Sequence, residues 1–203
     1  MILFPAFLKL QSRPVLVVGG GTIAASKVGA LLRAGACITL VSPKLAPELA
    51  ELVRNRELDW LPKPFEPADL DGKFLVIAAT SLRELNALVY QEADKRRILC
   101  NAVDDNEQCH FYYGSVVQRG DLQIAISTNG KSPALAQRLR KELEDQFGPE
   151  YAAWLEWLGA AREVLFAQSD DRERTRRWLH LLASPDMFKR YLQQTASPSK
   201  GAS

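Results

Sequence analysis

The sequence predicts an α/β fold built on a parallel sheet, and three observations carry that prediction. Residues 15–18 (Val-Leu-Val-Val) are apolar at every position, as a strand buried on both faces requires. A glycine triplet, Gly19-Gly20-Gly21, follows at once, and an amphipathic stretch begins directly after it. Strand-like and helix-like segments then alternate as far as residue 101, the pattern of helices crossing between parallel strands.

Residues 4–10 read as a short apolar lead-in strand, and Ser12-Arg13-Pro14 turns into the central strand. The spacing Gly19-x-Gly21-x-x-Ala24 fits the dinucleotide fingerprint, whose last small residue can be alanine. Gly19 allows the tight turn, Gly21 lets the backbone approach a pyrophosphate, and Ala24 lets the helix pack closely on the strand. The helix N-terminus presents free N–H groups and a positive dipole end to the phosphates. A helix is predicted over 22–33, with Ala24, Val28, Leu31 and Leu32 on its core face and Gly35 at its stop. Further strands are predicted over 37–41, 58–61, 74–78 and 97–101, with helices over 45–54 and 82–96. These assemble as a Rossmann-type sheet of order 3-2-1-4-5.

After Asp105 the pattern changes. Residues 111–118 and 122–127 are two β-type runs joined around Arg119-Gly120-Asp121, a hairpin signal. A lone hairpin is marginally stable, so pairing with the same element of a second chain is expected. Ser132 is a plausible N-cap and Pro133 suits the first position of a helix that ends at Gly148-Pro149. Helices then follow from Glu150, over 171–183 and over 185–193, with Tyr151, Trp154, Leu155 and Leu158 as an apolar stripe. The expected division is a nucleotide-binding domain at 1–112, a dimerisation region at 113–147, a small helical domain at 148–194 and a disordered tail at 195–203.

Lys and Arg number 26 against 24 Asp and Glu, a balance that does not point to nucleic acid. No apolar run is long enough to span a membrane. The three cysteines fit no zinc template, and no metal site is expected. Cys37 and Cys100 fall in predicted strands and read as buried small hydrophobes in a reducing compartment; Cys109 and His110 are neighbours in a loop.

In an open α/β sheet the ligand lies across the carboxyl ends of the strands. The adenosine end therefore falls near Ser42, Pro43 and Lys44, where the usual ribose-binding acid is missing and Lys44 leaves a 2′-phosphate open. The nicotinamide end falls near Ala78-Ala79-Thr80 and Asn101-Ala102-Val103-Asp104-Asp105. Asp104 there reads as a general base, or else Asp104 or Asp105 caps the turn before Asn106. From the residues alone, a nucleotide-sensing regulatory domain without catalysis and a general small-substrate dehydrogenase both stay open.

Joint motifs narrow this. Residues 4–10, Val17-Val18-Gly19-Gly20-Gly21, Lys27, Ala34-Gly35-Ala36, Ala78-Ala79-Thr80 with Asn86, Asn101-x-x-Asp104 and Cys109-x-Phe111 resemble the dehydrogenase–chelatase module of siroheme synthase. The most distinctive match runs from Arg119-Gly120 through Ser127-Thr128-x-Gly130-x-Ser132-Pro133 to Arg138-Leu139-Arg140. The resemblance implies NAD-dependent oxidation of precorrin-2 to sirohydrochlorin and, in some members, insertion of ferrous iron to give siroheme. It implies Asp104 as the catalytic aspartate and Thr22-Ile23 and Pro43-Lys44 as the pairs that contact NAD, beside Gly19, Gly21 and Thr80. Asn101, Thr128, Lys131, Ser132 and Arg138 are the candidate substrate-binding residues, the basic ones for the carboxylates of the tetrapyrrole. It further implies a cytoplasmic homodimer. One departure is Tyr113-Gly114-Ser115, which replaces an apolar-Pro-small segment and puts the local shape of the substrate wall in question.

Overall fold

A computed structural model of the chain describes residues 2–196. It divides into two units that meet between Tyr113 and Gly114. In the first unit the strands are β1 (Pro14–Val18), β2 (Cys37–Val41), β3 (Asp59–Leu61), β4 (Leu75–Ala78) and β5 (Leu99–Ala102). They form one parallel sheet in the order β3-β2-β1-β4-β5. The helices are α1 (Thr22–Arg33), α2 (Pro47–Arg54) and α3 (Arg83–Lys95). Two short 3₁₀ turns, Pro67–Leu70 and Asn106–Gln108, were not legible in the sequence.

The alternation of side chains along the central strands splits the core in two. Val15 and Val17 pack with Ala24, Val28 and Leu31 on one face; Leu16 and Val18 pack with Val76, Val89 and Ala93 on the other. Gly35, at φ +73°, ends α1 in the left-handed conformation.

Register fixes the functional edge. Val18 lies opposite Val41 and Ala78, and Ala78 opposite Ala102. The carboxyl ends of four strands therefore stand side by side, and each is followed by one of the loops singled out above.

Residues 4–10 form no strand: Phe4 and Phe7 are exposed and only Leu10 enters the core. Pro5 interrupts the run, and no neighbouring strand edge pairs with it. Cys37 is exposed, contrary to expectation, because it is the first residue of β2 and sits at the rim of the sheet. Cys100, inside β5, is buried.

The second unit holds a two-stranded antiparallel sheet, β6 (Ser115–Arg119) and β7 (Leu122–Ile126), with α4 (Pro133–Gln146), α5 (Glu150–Gln168), α6 (Arg172–Leu182) and α7 (Pro185–Ala196). Both α4 and α5 pack on the hairpin. Arg119 explains the distinctive motif around it. Its guanidinium donates to the carbonyls of Phe147 (2.8 Å) and Glu144 (3.1 Å), satisfying the open end of α4 with a cation. Gly114 lies against β7, where a Cβ would stand 2.9 Å from the Ile126 carbonyl oxygen. Of the stripe on α5, Trp154 is buried and Tyr151, Leu155 and Leu158 are half-buried. The expected tail falls largely outside the described residues, and its first two residues complete α7.

Candidate cofactor and catalytic site

The glycine turn is built by contacts from two neighbouring loops. Gly19 has φ +117°, and a side chain on it would run into the carbonyl of Ala79. Its N–H donates to Val41 O at 3.0 Å. Gly20, which has no position in the spacing fingerprint, faces the carbonyl of Lys44, and a Cβ there would also stand 2.6 Å from Ser42 Oγ. Gly21 is the opposite case, because a Cβ on it would meet no protein atom within 4 Å. That free space lies at the mouth of α1, for which Gly21 is the N-cap.

No side chain caps this helix and its first turn holds no acid, so its N–H groups and dipole end remain available. Ile23, in that turn, is exposed. A dinucleotide fits here by chemistry: an open glycine face, uncapped amide donors for phosphate oxygens and an apolar side chain beside them. Thr22, Ile23 and Gly21 would hold the cofactor at this end.

The Ser42–Lys44 loop is shaped from within. Ser42 Oγ donates to Lys44 O at 2.6 Å, and Trp60 Nε1 donates to Ser42 O at 2.9 Å. No acid stands in this loop, while Pro43 and Lys44 are exposed on it. Thr80, after β4, is held by Asn86. The Thr80 N–H donates to Asn86 Oδ1 at 3.2 Å, the Thr80 hydroxyl donates to the same oxygen at 2.7 Å, and Asn86 Nδ2 donates to Thr80 O at 3.1 Å. Asn86 is buried, and its value to the site is this clamp on the β4 loop.

Asp104 and Asp105 play different parts. Asp105 Oδ1 accepts from Glu107 N at 3.1 Å and caps the Asn106–Gln108 turn. The capping reading of this pair therefore belongs to Asp105. Asp104 stands exposed at φ +64°, an uncommon conformation for a side-chain-bearing residue and one that Asp tolerates.

Asn101 is buried, and its Nδ2 donates to Phe111 O at 2.8 Å and to Cys109 Sγ at 3.3 Å. It ties the segment after the Asp104 loop back to β5. Cys109 and His110 point apart, as neighbours on extended chain do. The thiol donates to Ala102 O and Asp105 O at 3.2 and 3.1 Å. His110 Nδ1 accepts from Cys100 N at 3.0 Å, so Nε2 carries the proton and faces Asp94 at 3.1 Å. Among the described residues no three His, Cys, Asp or Glu side chains group as a metal site.

The other candidates lie in the second unit, in the loop between β7 and α4 and on α4 itself. Thr128 Oγ1 accepts from Ser132 N at 3.2 Å, and Ser132 Oγ accepts from Leu135 N at 3.2 Å, capping α4. Arg138 pairs with Glu142 at 3.2 Å on an exposed helix face, and Lys131 is exposed.

Comparisons with known proteins agree with this geometry. The family model described as "Putative NAD(P)-binding" matches residues 6–115, and that described as "Sirohaem biosynthesis protein central" matches 119–146. Siroheme synthase 3 of Aeromonas hydrophila is 45% identical over 181 residues, 89% of this chain and 39% of the relative. The siroheme synthase of Baumannia cicadellinicola is 50% identical over 140 residues, 69% of this chain and 30% of the relative. The chain thus spans well under half the length of these curated relatives. Among solved structures, "SirC, precorrin-2 dehydrogenase" superposes with a TM-score of 0.77 at 28% identity, covering 95% of this chain and 98% of that one. The family model and the open glycine turn agree on a nicotinamide dinucleotide, NAD(P), as the cofactor. The chain belongs to the NAD(P)-binding family of sirohaem biosynthesis, to which a segment of the siroheme synthases also belongs.

Proposed function

We propose that the chain oxidises precorrin-2 to sirohydrochlorin with NAD. The observation that carries this reading is Asp104, free of capping duty on the same sheet edge as the open glycine turn. The likeness to SirC over nearly the whole of both chains supports the substrate.

NAD, when bound, supplies the hydride acceptor. The chain's own residues do the rest. The amides at the start of α1 would hold the pyrophosphate, while Pro43 and Lys44 would serve its adenosine end and Thr80 its nicotinamide end. Asp104 accepts the proton that the substrate loses, and Asn101 fixes the loop that carries it. Thr128, Lys131, Ser132 and Arg138 bind the substrate, with Lys131 and Arg138 meeting its carboxylates. Anaerobic mixing of protein, NAD and precorrin-2, followed by absorption, tests the reading. Appearance of the sirohydrochlorin spectrum supports it, and an unchanged precorrin-2 spectrum overturns it.

Ferrous iron is a second proposed substrate, favoured by the siroheme synthase relatives. In that step two pyrrole protons leave as the macrocycle nitrogens bind the metal, and Asp104, exposed to solvent, takes them in turn and releases them to water. Anaerobic incubation of sirohydrochlorin and ferrous iron with and without protein decides it: equal rates reject chelation.

We also propose a homodimer joined through β6 and β7, a two-stranded sheet whose Val116 is exposed. Light scattering that returns a single 22.6 kDa chain overturns the dimer. No helix among the described residues is long and apolar enough to cross a membrane. The proposed compartment is the cytoplasm, which cell fractionation tests.

A further inference from the structure

Lys27 belongs to none of the roles assigned so far. It lies on α1 four residues after Ile23, hence on the same helix face, one turn further from the glycine turn. Its ammonium stands 4.1 Å from the centroid of the Tyr113 ring. Phe111 flanks Tyr113, with ring centroids 5.8 Å apart, and Asn101 anchors Phe111 to β5. The aromatic platform beneath the ammonium is thus tied to the strand that delivers Asp104.

Lys27 is half-buried, and the described residues give it no hydrogen bond or ion pair. Burial lowers its pKa, and the nearby charge of Asp104 opposes that effect without reaching a direct ion pair. An aromatic face compensates a desolvated ammonium only in part. A cation held this way, between the cofactor turn and the catalytic carboxylate, has its hydrogen-bonding capacity unspent.

We propose that Lys27 is a positioning residue that pairs with a carboxylate of the tetrapyrrole and so sets the macrocycle against Asp104. The proposal rests on the dehydrogenase reading above and adds a substrate anchor within the first unit, distinct from Lys131 and Arg138. The spacing suits this role, because an anion on Lys27 lies beside Asp104 and next to, not at, the α1 amides that take phosphate.

The test compares wild type with Lys27→Met, Lys27→Gln and Lys27→Arg. Thermal melts establish folding. Anaerobic titration with sirohydrochlorin, followed by its visible absorption, gives a binding constant without turnover. Steady-state rates give KM for precorrin-2, and calorimetry gives NAD affinity. Lys27→Met is expected to weaken sirohydrochlorin binding and raise KM for precorrin-2 by about tenfold or more, as loss of one charge-assisted pair does. NAD affinity is expected to hold, and Lys27→Arg to recover most of the loss. The salt dependence of sirohydrochlorin binding falls in Lys27→Met, which a merely structural lysine would not cause. A folded Lys27→Met or Lys27→Gln with unchanged sirohydrochlorin affinity overturns the proposal, as does a defect confined to NAD. Absence of turnover in wild type defeats the dehydrogenase reading instead, and the titration still decides the role of Lys27.

Discussion

The Ala46 amide donates to the Gly20 carbonyl at 2.7 Å, joining the glycine turn to the loop after β2. The same approach brings the Lys44 carbonyl against the Cα of Gly20, whereas Gly21 next door faces free space. Alanine at the two positions should therefore act differently. Gly20→Ala must push two backbones apart and is expected to cost about 1–3 kcal/mol of stability, as overpacking does. Gly21→Ala is expected to melt like wild type yet bind NAD at least about tenfold more weakly, ~1.4 kcal/mol. Paired melting curves and NAD calorimetry check this; a destabilised Gly21→Ala with normal NAD affinity contradicts it.

Asp104→Asn keeps a side chain that tolerates the left-handed backbone and removes the proposed base. Turnover of precorrin-2 is expected to fall by roughly 10²–10⁴-fold, the usual worth of a general base. Melting temperature and NAD affinity should stay as in wild type. Turnover within a factor of about three of wild type, far short of that range, removes Asp104 from the role.

The thiols should separate by reactivity. Cys37 is exposed, whereas burial raises the pKa of Cys109 and pushes that of Cys100 from 9.0 up to about 12. Iodoacetamide at pH 8 followed by mass spectrometry of peptides is expected to label Cys37 first, Cys109 slowly and Cys100 only on unfolding. The raised pKa also has a stability consequence. At neutral pH the Cys100 thiol is protonated in both states and contributes nothing. Above pH 9 the unfolded thiol ionises while the folded one does not until about 12, so stability falls across that interval. Urea melts should show a shallower alkaline decline in Cys100→Ala than in wild type.

Arg119→Met keeps the aliphatic stem of the side chain but strips two carbonyls at the end of α4 of their donors. A loss of about 1–3 kcal/mol is expected, the cost of leaving a partly buried acceptor without its donor. Hydrogen exchange should show it as lower protection in the last turn of α4; unchanged protection there argues against the cap.

Local signals were legible and contacts between distant segments were not. The bounds of α1 follow from glycines on both sides, and the sheet order follows from the alternation of its elements. No lead-in strand forms, because apolar composition says nothing about whether a strand edge is available to pair. Cys37 departs from expectation because an apolar strand is buried along its middle, while its first residue lies at the rim. In the site, Gly19 and Gly21 are readable from spacing, but the part played by Gly20 depends on Ser42 and Lys44. The clamp of Asn86 on Thr80 likewise needs the fold. Asp104 and Asp105 are equivalent in composition; only the turn geometry after β5 assigns the cap to one and frees the other.

The glycine turn grips the loop after β2 through main-chain atoms, the Lys44 carbonyl and the Ala46 amide. Those atoms are the same whatever side chain stands at position 44. A lineage can therefore exchange that side chain, altering charge around the adenosine ribose, without rebuilding the turn. The charge at position 44 is thus separable from the architecture of the turn, so its side chain can be changed without loosening the main-chain grip.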